Sequence, residues 1–116
     1  MVARPRTVEP LFQALAHPVR RQVVERLGRG ACRVTDLAAP FEMALPSFLQ
    51  HLRLLEQAGL IRSTKSGRVR TCELVPVRLA EAEHWLATQR RLWERRLDRL
   101  DATLHHLHAK ERSRAR

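Results

Sequence analysis

Apolar residues recur at steps of three and four along most of this chain, and prolines and glycines break the recurrence into separate elements. From Val8 the pattern is helical, with Leu11, Phe12, Leu15 and Ala16 on one side. His17-Pro18 interrupts it, because the residue before a proline is pushed out of the helical region. Pro18 opens a second short helix through Val23, Val24 and Leu27, which Gly28-Arg29-Gly30 ends. Ala31 to Val34 reads as a brief extended piece, and Thr35 as the N-cap of a helix from Asp36 to Ala39 that Pro40 closes. Phe41-Glu42-Met43 then forms a turn, with Phe41 and Met43 facing inward.

The next helix runs from Leu45 to about Ala58, with Pro46 in its first turn and Gly59 as its stop. Leu45, Phe48, Leu49, Leu52, Leu55 and Ala58 share its packed face, which leaves Ser47, Gln50, His51 and Arg53 on other faces. After Leu60 and Ile61, the cations Arg62, Lys65, Arg68 and Arg70 surround Ser66-Gly67, a hairpin-turn signal, with no acid between Arg62 and Arg70. The outgoing strand, Arg70 to Val75, alternates enough to be half buried, and Pro76 marks entry to the last element. The expected fold is mainly α with a small β-hairpin wing: a winged helix-turn-helix followed by a long C-terminal dimerisation helix. A helix packed on one side with donors and acceptors on the other suits a DNA major groove. The basic hairpin beside it can hold phosphates or enter the minor groove.

The last periodic stretch, from Val77 to about Glu111, is too long for one small domain to cover. Leu79, Ala82, Leu86, Trp93, Leu97, Leu100, Leu104 and Leu107 form its seam, and Arg90 is the missing member. Such a seam predicts helix-on-helix packing with a second copy. A twofold dimer would set two reading helices about one DNA turn apart, so the expected target is an inverted repeat in double-stranded DNA. The chain thus divides into a basic N-terminal arm (1–7), a winged helix-turn-helix domain (8–76), a dimerisation helix (77–109) and a basic tail (110–116).

Composition sharpens this picture. The 116 residues carry 22 Lys and Arg against 12 Asp and Glu, a net charge of +10 that favours a polyanionic partner. No run approaches the ~18 apolar residues of a membrane span, and the first ten residues lack the apolar core of a secretory signal. Cys32 and Cys72 are too few for a disulfide framework, and the expected setting is cytoplasmic. No phosphate-binding loop or dinucleotide turn occurs. Ser47 with His51 is an i, i+4 pair lacking a third orienting group, so neither an enzyme nor a cofactor is expected.

The runs LFQALAHPVRRQVVERL and VTDLAAPFEMALPSFLQHLRLLEQAGLIRS, with the wing KSGRVRTCEL, resemble the ArsR/SmtB family of bacterial winged-helix repressors. The resemblance covers roughly residues 8 to 104 and is narrower for the branch with a long last helix, here with Trp85-Leu86 and Trp93. It implies a dimeric repressor that docks the helix from Leu45 on operator DNA with the wing alongside, acting on its own promoter. It also implies dimerisation through the first and last helices, hence Leu11 with Leu86, Trp93, Leu97, Leu100 and Leu104. DNA contacts would come from Ser47, Gln50, His51, Arg53, Arg62, Lys65, Arg68 and Arg70. Two positions depart from the family pattern: Ala44 replaces the Ser that caps the reading helix, at a cost of ~1 kcal/mol, and Leu49 replaces a second Ser.

The family's metal templates are absent. Cys32 stands alone where a Cys-x-Cys pair would be, and none of His84, His105, His106 or His108 has a partner at the zinc-site spacing. Asp101, His105 and His108 share a helical face that a dimer could turn to metal binding, although a solvated surface explains them as well. In a winged helix the strand at Cys32 pairs with the outgoing wing strand at Cys72, so these two are the candidates for a redox or soft-metal switch. A rival from another class is a protein-interaction module in which the long helix docks a different partner.

Overall fold

The computed structural model describes residues 7–114. The first apolar repeat becomes α1 (Glu9–Leu15), and His17 then turns extended ahead of Pro18. The His17 Nδ1 accepts a hydrogen bond from the Val19 amide at 3.1 Å, so the side chain caps α2 (Pro18–Leu27) at the break the proline creates. Ala14, rather than Ala16, joins Leu11 in the core, because α1 stops at Leu15 and Ala16 is its exposed end. Arg20 and Arg21 fold back to donate to the carbonyls of Gln13, Ala14 and Leu15, where the α1 dipole is negative.

Strand β1 (Cys32–Arg33) leads directly into α3 (Val34–Ala38). The expected cap at Thr35 is corrected: the helix starts at Val34, so Arg33 occupies the cap position without a side-chain cap bond, and Arg33 pairs with Asp36 instead. Phe41, in the turn that follows, stacks on Phe48 with ring centroids 5.5 Å apart. That contact ties the turn to α4 (Leu45–Gln57). Phe48, Leu52 and Leu55 are the α4 residues that close the core over α1 and α2. Leu45 is a correction, since it is 50 % exposed: it is the first residue of α4 and lies beyond the edge of the core.

The end of α4 is defined by backbone geometry. Gly59 has φ +78°, its amide bonds to the Glu56 carbonyl, and the Leu60 amide reaches the Leu55 carbonyl. This pair of hydrogen bonds needs a left-handed residue at Gly59 and turns the chain at once into β2 (Ile61–Ser66). Strand β3 (Val69–Leu74) returns antiparallel, with Ser66 opposite Val69, so Gly67-Arg68 rather than Ser66-Gly67 is the two-residue turn. Gly67, at φ +62°, takes its first central position. The sheet order β1-β3-β2 pins the hairpin to the domain through β3.

Helix α5 (Pro76–Arg114) completes the chain. The fold divides into two compact units, one reaching to Ala82 and one from Glu83 onward. Within the first, Leu79 and Ala82 add to the core. Within the second, every leucine and both tryptophans are exposed, Leu97 to 46 %. Arg90 pairs with Glu94 at 3.7 Å and Arg96 lies 5.9 Å over the Trp93 ring, so these three charged side chains are held along the helix itself. Among the described residues no helix is long and apolar enough to cross a membrane.

Candidate nucleic-acid interface

The exposed side of α4 carries Ser47, Gln50 and Arg53, while Phe48, Leu52 and Leu55 occupy the side opposite. Ala44 has extended geometry at the N-cap but no side chain to bond with, so the first amides of α4 lack a side-chain partner. The other end is held firmly. Arg78, buried on the first turn of α5, donates to the Ala58 carbonyl at 3.1 Å and to the Thr7 carbonyl at 3.4 Å, and forms an ion pair with Glu81. A cation at the carboxyl end of α4 also suits the helix dipole.

His51 differs from its neighbours on α4. Its Nδ1 lies 3.2 Å from Arg20 Nη1, and its ring is 4.5 Å from that of His17. A guanidinium only donates, so Nδ1 must accept and the neutral ring carries its proton on Nε2. Burial, first, and the nearby His17 and Arg20 push the His51 pKa below its ordinary value. His51 is therefore half-buried and turned toward α2, unlike Ser47, Gln50 and Arg53.

The wing cations fall into two pairs. Arg62 donates twice to Glu73 Oε1, at 2.9 and 2.6 Å, and Arg70 bonds Ser63 at 3.1 Å and Glu56 at 3.4 Å. Lys65 lies just before the turn and Arg68 within it; both are exposed and form no ion pair among the described residues. The acids responsible, Glu73 and Glu56, lie outside the acid-free run of the sequence and meet it only through strand register and the packing of α4 on the wing. Arg62 and Arg70 therefore present part of their charge to the protein, and Lys65 and Arg68 present theirs to solvent.

Leu11, expected at a dimer contact, is 0 % exposed within this one chain. Its side chain is spent on the core and has no surface to offer a partner. Leu86, Trp93, Leu97, Leu100 and Leu104 are all exposed on α5. Cys32 and Cys72 sit directly opposite each other across β1 and β3, both buried and both as free thiols. Burial, above all, pushes the Cys72 thiol above its ordinary range. Within this one chain, among the described residues, no three His, Cys, Asp or Glu side chains come together to hold a metal ion.

Sequence reasoning missed Arg20 and Arg78. A signal existed for Arg20, since the pair Arg20-Arg21 directly follows a proline-marked helix break and can reach the carbonyls just ended. Arg78 carried none, because its partners Thr7 and Ala58 are distant in sequence.

A core of short helices closed on a small sheet, a groove-sized helix with a polar outer face and a basic hairpin define a winged helix-turn-helix DNA-binding regulator. Known proteins agree. A helix-turn-helix domain family matches residues 15–64. The chain is similar to the HTH-type transcriptional regulator Rv2034 of Mycobacterium tuberculosis, 37% identical over 75 residues that cover 65% of this chain and 70% of that protein. It is also similar to the transcriptional repressor SdpR of Bacillus subtilis, 29% identical over 66% of this chain and 84% of that one. Among solved structures, an ArsR family transcriptional regulator is 50% identical, superposes with a TM-score of 0.74, and covers 81% of this chain and 97% of its own. The chain belongs to the ArsR/SmtB family of winged helix-turn-helix transcriptional regulators.

Proposed function

We propose that this regulator is a homodimeric repressor that binds an inverted-repeat operator in its own promoter and acts by occluding it. The observation that carries the reading is the pairing, in one chain, of an open polar face on α4 with a seam of exposed leucines and tryptophan on α5. Leu86, Trp93, Leu97, Leu100 and Leu104 would bury one another against a second copy, because a solvent-facing stripe of this length is otherwise unfavourable. Residues 77–109 would then serve as the dimerisation helix. Ser47, Gln50 and Arg53 would meet base edges or groove-edge phosphates, with His51 offering only its Nε2 proton. Lys65 and Arg68 would supply the main phosphate attraction of the wing, and Arg62 and Arg70 a smaller share because Glu73 and Glu56 partly neutralise them.

The test is binding of the purified protein to its own upstream DNA and to scrambled DNA across a salt series. The expected result is strong preference for the upstream DNA that persists at ~0.2 M salt. Equal, weak binding of both would overturn the reading and leave the long helix as a docking element for another protein.

The register of Cys32 against Cys72 favours a second reading, in which a thiol switch modulates the repressor. Directly opposed residues of an antiparallel pair have Cα atoms ~4.5–5.5 Å apart, inside the range a disulfide accepts. A hydroperoxide would take both thiol hydrogens, forming the S–S bond, water and an alcohol; a soft metal ion would instead bridge the two thiolates. Because β3 is also the outgoing strand of the wing, either event would re-aim Lys65 and Arg68. Burial of both thiols predicts a slow reaction. Release of DNA by oxidant in the parent protein but not in Cys72→Ser would support the switch, and equal release in both would exclude it.

A further inference from the structure

The reading helix and the wing line a hollow of mixed chemistry. Three apolar side chains line it: Leu45 at the first position of α4, Leu49 one turn later on the same face, and Val69 at the start of β3. Leu45 and Val69 are 50 % and 44 % exposed, and Leu49 is half-buried. Its lining is also cationic, with Lys65 and Arg68 beside Arg33 and Arg70, which pair with Asp36 and Glu56. Nothing in the core explains exposed leucine and valine here, since both lie outside the buried cluster.

The cations select a polyanion, and the apolar side chains select something apolar on that polyanion's surface. In a DNA major groove the apolar group on the base edges is the thymine C5 methyl. The hollow also lies at the amino-terminal half of α4, the part of a reading helix that meets base edges. We infer that Leu45, Leu49 and Val69 form a thymine-methyl pocket, which makes them specificity-determining residues for the operator. This rests on the repressor reading of α4 and adds to it a base preference: each half-site carries thymine where the pocket docks. Serine at position 49 would offer a hydroxyl to a phosphate or to any base, whereas leucine favours the base that brings a methyl group.

The experiment removes the methyl and nothing else. Duplexes that the full-length protein prefers are recovered from a random-sequence pool, and each conserved thymine is replaced in turn by deoxyuridine. Burial of one methyl group predicts an affinity loss of about fourfold at the docking position. The same substitution should change the affinity of Leu45→Ala and Val69→Ala by less than about twofold, since the pocket wall is gone. If the protein selects a sequence yet binds thymine and uracil duplexes alike, the apolar side chains meet deoxyribose or a protein side chain and the inference is overturned. A methyl effect that survives intact in both variants overturns it too, because the methyl is then read elsewhere. If no sequence is selected at all, the repressor reading itself fails.

Discussion

Leu52 on α4 and Leu97 on α5 are the same residue at the same kind of helical spacing, and they end in opposite environments: 2 % and 46 % exposed. In the unit that ends at Ala82, apolar faces of short helices close on one another and on the three-stranded sheet. In the unit that begins at Glu83, one helix carries a comparable face whose leucines and tryptophans are exposed. The difference teaches that periodicity reports the existence of a face, and that length decides whether one small domain can cover it. The first face is used for folding; the second is the one proposed for assembly.

The contrast can be broken most severely at its buried side. Phe48→Ala empties a fully buried site against Phe41 and should cost about 3–5 kcal/mol, much of the stability of a small domain, read by denaturant unfolding. Leu97→Glu combined with Leu104→Glu should leave the wing and core folded by circular dichroism yet give a monomer in sedimentation. Operator affinity should then fall about a hundredfold as the second half-site is lost. A dimer that survived this pair would remove α5 as the assembly surface.

Smaller changes sharpen the comparison within the reading helix. Gly59→Ala should destabilise by about 1–2 kcal/mol, because a side chain at φ +78° is strained and its Cβ would sit 3.2 Å from Arg78 Cγ. Gly67→Ala, at φ +62° with open space around it, tests strain without crowding and should cost less. Ala44→Ser should raise stability by about 1 kcal/mol by supplying the missing cap at a position already extended, seen as a higher melting temperature. The smallest effect is a pH dependence. His51 has its folded pKa held down, so its contribution is complete above about pH 6.5 and declines as pH falls through the lowered folded value. A His51→Gln variant should show a flatter stability profile below pH 6.5; an unchanged profile would exclude His51 as its source.

Much of this molecule was legible in the residues. Prolines at 10, 18, 46 and 76 fall in the first turns of helices, where a missing amide costs nothing. Leu45 to Gln57 emerged as a helix with a packed and an open side because the 3.6-residue repeat is strong there. Boundaries were less legible. The hairpin turn lies one residue later than the Ser-Gly signal suggests, since register along β2 and β3 places Gly67 at the position that needs positive φ. Leu45 matched the packed stripe but lies past the edge of the core, which a helical wheel does not mark.

The helices, the basic hairpin and the family are written in the order of the residues, because local spacing, proline and glycine act over a few residues and need no distant partner. Tertiary structure alone decided which charges remain available: Arg62 and Arg70 are answered by Glu73 and Glu56, His51 by Arg20, and the end of α4 by Arg78. It also decided that Leu11 belongs to the core and that Leu45, Leu49 and Val69 share one hollow. These are contacts between residues far apart in the chain, set by how helices stack and strands register, and neither is written in any local pattern.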